Sequence, residues 1–158
     1  MLITNPSIFR GIVMKASSLF LRTGVVAALC GMGLGIGMGI AHDHTLHSLH
    51  AHINLVGWAS MFLFGLYYRA TPAADGRLAR VHYFVAAPAF VVFMVGLGGI
   101  FLGHEDTFAP LAIAGSLLTF LSMVLFAWNV FATTGTQASD RTTFGGIATP
   151  AEALGTTR

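Results

Sequence analysis

Residues 81–103 read VHYFVAAPAFVVFMVGLGGIFLG and contain no lysine, arginine, aspartate or glutamate. A helix needs about 20 mostly apolar residues to cross a bilayer, so this stretch is long enough to span one. Three further stretches meet the same criterion, at residues 18–41, 49–70 and 109–132. The sequence therefore predicts an all-α, polytopic membrane protein with four transmembrane helices.

The overall composition agrees with a membrane protein. Of the 158 residues, 55% are hydrophobic and only 9% are charged, whereas a soluble domain carries about 25% charged residues. The net charge of +2 is too small to indicate a nucleic-acid-binding surface. No nucleotide-binding loop, Ser-His-Asp order or pair of carboxylates is found, and every acidic residue lies outside the four spans. The sequence identifies no catalytic residue and leaves open whether the chain is an enzyme.

The basic residues predict the orientation of the chain. They lie in the N-terminal leader, at its junction with the first span, around the second connection and in the tail, whereas the first and third connections contain no lysine or arginine. Because lysine and arginine concentrate on the cytoplasmic side, we expect both termini in the cytoplasm and lipid around the helices, in a bacterial inner membrane. The transmembrane domain is predicted over residues 1–132, and residues 133–158, rich in Thr, Gly and Ala, are predicted to be a disordered tail.

Five of the seven histidines fall in the stretch HDHTLHSLHAH, residues 42–52, which leads into the second span. An ionisable group inside a membrane span is costly unless it binds something, and neutral imidazole ligates heme iron, copper and zinc. On a helix, His50 and His52 lie about 160° apart, so they are expected to serve two different sites. Asn54 falls near the His50 face, and Trp58 lies nearer mid-span, where it either walls a cofactor pocket or simply packs.

The outward loop before the second span carries four further candidate ligands for copper or another divalent metal: His42, Asp43, His44 and His47. A solvated polar loop is the alternative interpretation of this cluster. His82 stands beside Arg80 at the cytoplasmic start of the third span, where a capping or interfacial role is expected. In the first span Gly31, Gly35 and Gly39 recur every four residues, which predicts close helix packing, with a planar cofactor against the glycine face as the alternative.

The histidine stretch resembles helix X of subunit I of the heme-copper oxidases, whose His-x-His motif ligates one high-spin and one low-spin heme. The resemblance is closest to the C-type branch, where Gly-Trp follows at the spacing seen here between His50-Ala51-His52 and Gly57-Trp58. His42-Asp43 also stand eight residues before His50, as His-Asp does in many of these oxidases. The similarity extends over Met38–Tyr68 and implies a fold like one four-helix arc of subunit I, with heme b bound by His50 and His52.

The chain also departs from subunit I, which has twelve helices in three such arcs. This sequence has no His-His pair for a copper B site and no matching His-Tyr crosslink motif. The resemblance therefore implies a homotrimer with hemes at the subunit interfaces, acting in electron transfer with a redox partner protein or in binding oxygen or nitric oxide. Two alternatives remain open: a copper- or zinc-binding protein that uses the outer cluster, and a cofactor-free oxidase assembly partner.

Overall fold

The computed structural model describes the backbone of residues 14–144 and the side chains of residues 14–134. This part of the chain forms four helical rods. They are α1 (Ala16–Ala41), α2 (His47–Ala70), α3 (Arg77–Phe101) and α4 (Glu105–Phe144). Each rod is long and apolar enough to cross a membrane, which confirms the predicted all-helical architecture with four potential spans.

The fourth helix is longer than the sequence predicted. It continues to Phe144 instead of ending near residue 132, so residues 133–144 are helical where a disordered tail was expected. This stretch contains no proline, so each residue can add one more backbone hydrogen bond to a helix that is already formed. Residues 145–158 of the predicted tail lie outside the described residues.

The second rod changes its winding immediately after His52. Its first turns, His47–His52, are α-helical, Ile53–Ser60 form a π-helix, and Met61–Ala70 return to α-helix. The hydroxyl of Ser60 donates a hydrogen bond to the carbonyl of Leu55, five residues earlier. π-Helical turns are rare in proteins, and those that occur are often found at functional sites. The regular α-helical spacing assumed from the sequence therefore holds at the two histidines but not beyond them.

Glycines allow the helices to approach closely. A Cβ atom at Gly96 of α3 would collide with the backbone of Ala112 in α4. Conversely, a Cβ atom at Gly115 of α4 would lie 2.5 Å from the backbone of Phe93 in α3. Between α1 and α2, a Cβ atom at Gly24 would lie 3.0 Å from the backbone nitrogen of Phe62. The chain thus packs mainly as two helical hairpins, α1 with α2 and α3 with α4.

The two ends of the helix assembly differ in character. We call the end that holds Lys15 and the α2–α3 loop (residues 71–76) the basic end, and the opposite end, with the loops at residues 42–46 and 102–104, the histidine end. At the basic end the Asp75 carboxylate accepts a hydrogen bond of 2.6 Å from the hydroxyl of Ser17, in the first turn of α1. This bond attaches the α2–α3 loop to the start of α1, where a negative charge is favourable.

The main buried cluster lies near the basic end, and its largest fully buried side chains are Phe20, Tyr68 and His82. Much of the remaining apolar surface points outward, with Ile40 78% exposed and Phe131 76% exposed. In water such a surface would be a liability, whereas in a bilayer it is solvated by lipid tails. The helices are therefore suited to contact with membrane lipid.

Candidate functional site

His50 lies on the side of α2 that faces α1. Its Nδ1 atom is 2.8 Å from the carbonyl oxygen of Gly31. Because a carbonyl only accepts hydrogen bonds, Nδ1 carries the proton and the lone pair of the neutral ring is on Nε2. The Asn54 amide nitrogen lies 3.5 Å from Nε2, too long for a good hydrogen bond. The half-buried ring therefore keeps one nitrogen available as a ligand.

Two neighbours fix the position of the His50 ring. Gly35 of α1 lies directly against it, so that a Cβ atom at Gly35 would be 2.8 Å from Cε1 of the imidazole. The Asn54 amide donates a 2.8 Å hydrogen bond to the main-chain carbonyl of His50. The same amide occupies the space beside Gly31, where a Cβ atom would lie 2.6 Å from it. Small residues of α1 thus make room for both polar side chains of α2.

His52 has the same hydrogen-bonding pattern on another side of α2. Its Nδ1 atom is 2.8 Å from the carbonyl oxygen of Ser48, one turn earlier in the same helix. Its half-buried ring meets Phe93 of α3 edge to face, with the ring centroids 5.4 Å apart. Nδ1 again carries the proton, so the lone pair of Nε2 can bind a metal ion. The structure therefore places His50 against α1 and His52 against α3.

Trp58, for which the sequence left a pocket wall and simple packing open, lies on the outer surface with 47% of its area exposed. A mostly apolar cavity of about 550 Å³ lies between α1 and α3. Its lining includes Ile53, the residue after His52, but neither His50 nor His52. Within a single chain this cavity and the two histidines are therefore separate features.

The outer loop is held by local hydrogen bonds. Oδ1 of Asp43 accepts bonds from the backbone N–H of Thr45 at 2.9 Å and from its hydroxyl at 2.6 Å. These two bonds lower the pKa of the exposed Asp43 carboxyl, the side-chain bond contributing most. Nδ1 of His47 lies 3.1 Å from the carbonyl oxygen of His44. The side chains of Asp43 and His47 thus form their hydrogen bonds within the loop itself.

A metal site is not assembled from this loop in the single chain. Among residues 14–134 no group of three or more His, Cys, Asp or Glu side chains is arranged to hold a metal ion. The predicted cluster of His42, Asp43, His44 and His47 is therefore not brought together, because Asp43 turns toward Thr45 and His47 bonds to the backbone of His44. Exposure of the loop's four candidate ligands agrees with the alternative of a solvated polar loop.

Comparisons with protein-family models, with curated proteins and with solved structures found no match to this chain. The resemblance to heme-copper oxidases therefore rests on the motif around His50-Ala51-His52 alone. All other arguments for function come from the positions and contacts of the side chains in this chain.

His82 is where the structure corrects the sequence prediction most clearly. A capping or interfacial role was expected, but the side chain is fully buried. Its Nδ1 atom is 2.9 Å from the hydroxyl of Tyr68 in α2, and its Nε2 atom is 3.0 Å from the hydroxyl of Ser122 in α4. The histidine thus joins three helices through a buried polar chain.

Aromatic rings surround the imidazole of His82. The ring centroids of Phe20 and Phe64 lie 4.8 Å from it, and that of Phe126 lies 5.8 Å from it. The sequence did contain a signal for this burial, because His82 shares a helical face with three small residues, Ala79, Ala86 and Ala89, all of them buried. Residues at such spacing form the packed stripe of a helix, and His82 stands within that stripe.

Proposed function

We propose that this chain binds heme b in the membrane through His50 and His52, and acts in electron transfer or in the binding of oxygen or nitric oxide. The observation that carries the proposal is shared by the two residues: Nδ1 of each is 2.8 Å from a backbone carbonyl. Metal-ligating histidines almost always donate their second ring nitrogen in this way, which sets the tautomer and the ring orientation. Nε2 of each ring is then the ligand atom.

Ligation of one heme by two histidines requires more than one copy of the chain. Because His50 packs toward α1 and His52 toward α3, one chain offers a single imidazole to each of two sites. A heme with two histidine ligands would take the second from a neighbouring copy. Three copies around a threefold axis would present twelve helices, the number in the oxidase subunit that the motif resembles, and we therefore propose a homotrimer.

The heme, when bound, supplies one-electron redox chemistry or a binding site for a diatomic gas. His50 and His52 would hold the iron through Nε2, and the apolar helices would keep its surroundings apolar. The Asn54 amide, 3.4 Å from Nδ1 of His50, would help to position that ring. If two histidines held the iron, electron transfer with a redox partner protein would be favoured, whereas ligation by one histidine would leave a position for gas.

We further propose that both termini and the basic end face the cytoplasm of a bacterial inner membrane. The histidine end then faces outward, so heme ligation would take place nearer the outer surface. Loops without lysine or arginine at that end support this orientation.

Absorption spectra test the heme proposal. The full chain is purified in detergent from cells with ample heme, and spectra of the oxidised and dithionite-reduced protein are combined with pyridine hemochrome quantitation. We expect reduced α and Soret bands in the wild type, their loss in His50→Ala and His52→Ala, and their retention in His104→Ala, which removes an exposed histidine. A colourless wild-type protein contradicts the proposal.

The same preparations separate the alternatives. A copper- or zinc-binding protein would contain metal without a chromophore and would lose the metal in His44→Ala. An assembly partner would contain neither and would co-purify with oxidase subunits. Native mass spectrometry of the heme-loaded protein tests the trimer, because heme retained on a monomer would exclude ligation between copies.

A further inference from the structure

The buried chain Tyr68–His82–Ser122 has a cavity at each of its ends. The first is a polar cavity of about 240 Å³ at the basic end. Tyr68 forms part of its wall although its side chain is 0% exposed, so water reaches the Tyr68 hydroxyl only when this wall opens. The charged lining residues are Lys15, Arg69 and Asp75. A cavity of this size and polarity admits several water molecules.

The second cavity lies deeper between α2, α3 and α4 and measures about 100 Å³. Its lining is mostly apolar, but three hydroxyl residues also line it, Ser60, Thr119 and Ser122, and these are enough partners for a water. A buried water needs about 10–15 Å³ of such space and two to four polar partners, so this internal cavity can hold water. Val56, one turn beyond His52 in α2, is also part of its lining.

Each member of the chain between the two cavities can both donate and accept a proton. The hydroxyls of Tyr68 and Ser122 have this property, and neutral imidazole donates from one nitrogen and accepts at the other. Because each ring nitrogen of His82 faces a hydroxyl, both neutral tautomers are fully hydrogen-bonded. The aromatic rings around His82 leave the two hydroxyls as its polar neighbours among the described side chains.

We propose that Tyr68, His82 and Ser122 form a proton relay that connects the polar cavity at the basic end with the internal cavity. A protonated water in the polar cavity gives a proton to the Tyr68 oxygen, and the original hydroxyl proton of Tyr68 passes to Nδ1 of His82. The proton on Nε2 passes to the Ser122 oxygen, whose own proton passes to a water in the internal cavity. All three side chains end neutral, one proton has moved, and the imidazole has changed tautomer. Reorientation of the ring and hydroxyls restores the first state.

Hydrogen exchange at the His82 ring tests the entry step, using the full chain with ¹⁵N-labelled histidine in lipid nanodiscs. His82→Phe assigns the signal, and the exchange rate of the ring N–H with solvent is compared in Tyr68→Phe and Tyr67→Phe. Tyr67 is the matched control, since its hydroxyl bonds to Thr133 and lies outside the relay. We expect Tyr68→Phe to slow exchange about 100-fold, the typical effect of losing a positioned proton-transfer group, and Tyr67→Phe to leave it unchanged.

The direction of the change separates a relay from a purely structural role. Removing a buried hydrogen bond loosens packing, so a structural role predicts unchanged or faster exchange in Tyr68→Phe. Either of those results, or equal slowing in both tyrosine variants, would overturn the proposal.

The exit step is tested with a carboxyl group placed in the internal cavity by Ser60→Asp. Its C=O infrared band shifts when the acid proton exchanges with D₂O, so the shift reports proton access to this cavity. In the double variant Ser60→Asp, Ser122→Ala we expect this exchange to be about 100-fold slower than in Ser60→Asp alone. The double variant Ser60→Asp, Ser116→Ala, which changes a serine elsewhere on α4, should exchange at the rate of Ser60→Asp alone. An unchanged rate in the Ser122→Ala variant would show that protons reach the cavity by another path and would overturn the proposal.

Discussion

The Nδ1 atom of His50 lies 2.8 Å from the carbonyl oxygen of Gly31, so an imidazole of α2 is anchored to the backbone of α1. This carbonyl is also an acceptor within α1, and the small side of the helix at Gly31 and Gly35 lets the ring reach it. The glycine spacing of α1 is therefore linked directly to the orientation of the candidate ligand. His52 achieves the same tautomer within its own helix, through Ser48.

Gly35→Ala is expected to disturb His50, because the new methyl group would lie 2.8 Å from the imidazole Cε1. Overpacking of this kind costs about 1–3 kcal/mol, against a gain of about 1 kcal/mol from better helix propensity. Gly37→Ala is the matched control, since a Cβ atom there meets nothing within 4 Å. Thermal unfolding in detergent should show Gly35→Ala as the less stable of the two. Equal midpoints would mean that His50 moves aside without cost.

His82→Ala is expected to reduce the free energy of unfolding by about 3 kcal/mol or more, because it leaves a cavity and removes the partner of two buried hydroxyls. His104→Ala, at an exposed position, should change it by less than about 0.5 kcal/mol. Denaturant or thermal unfolding in detergent measures both. If the two variants lose equal stability, His82 is not the buried junction of three helices.

A related prediction concerns His82→Phe, which keeps an aromatic ring, somewhat larger than imidazole, but leaves the Tyr68 and Ser122 hydroxyls unsatisfied. Replacing all partners of a buried hydrogen bond by apolar groups can be nearly neutral. The triple variant His82→Phe, Tyr68→Phe, Ser122→Ala is therefore expected to be more stable than His82→Phe alone. The thermal midpoints of the two variants check this, and a further loss in the triple variant would contradict it.

The Ser17–Asp75 bond is expected to couple the α2–α3 loop to the start of α1. A double-mutant cycle with Ser17→Ala and Asp75→Ala should give a coupling energy of about 1–2 kcal/mol, since hydrogen bonds to a charged group are stronger than neutral ones. The carboxylate is partly exposed, which places the value toward the lower end. Strictly additive losses in unfolding free energy would show that the contact contributes nothing.

Asp43 gives a prediction for pH. Its pKa lies below the ordinary 3.8 because the Thr45 hydroxyl and backbone N–H donate to the carboxylate. Any order that these bonds give to the loop is present above that ordinary value and is lost as pH falls through the lowered pKa. Thr45→Val removes the hydroxyl bond and should raise the pKa of Asp43, measured by NMR titration of the carboxyl carbon. Thr107→Val, in an exposed threonine near the other outward loop, should leave it unchanged.

The sequence alone predicted the four helical rods, because the ability of a stretch to span a membrane depends on its own length and composition. Apolar length in stretches such as residues 81–103 predicts a helix regardless of its neighbours. The separation of His50 and His52 to different sides of α2 was also predictable, since residues i and i+2 of an α-helix always lie about 160° apart around its axis. Helix ends were less accurate: nothing in the polar composition after residue 132 revealed that α4 continues to Phe144.

The tertiary structure alone decided which polar groups are enclosed. His82 looked interfacial from its neighbour Arg80, yet Phe20 of α1 and Phe126 of α4, residues far away in sequence, enclose it. Its partners Tyr68 and Ser122 could not be paired from hydropathy, which carries no information on contacts between helices. The π-helix at Ile53–Ser60 and the outward position of Trp58 likewise depend on how α2 packs. The sequence by itself thus determined the helices and the two candidate ligands, whereas packing between distant segments decided what each side chain meets.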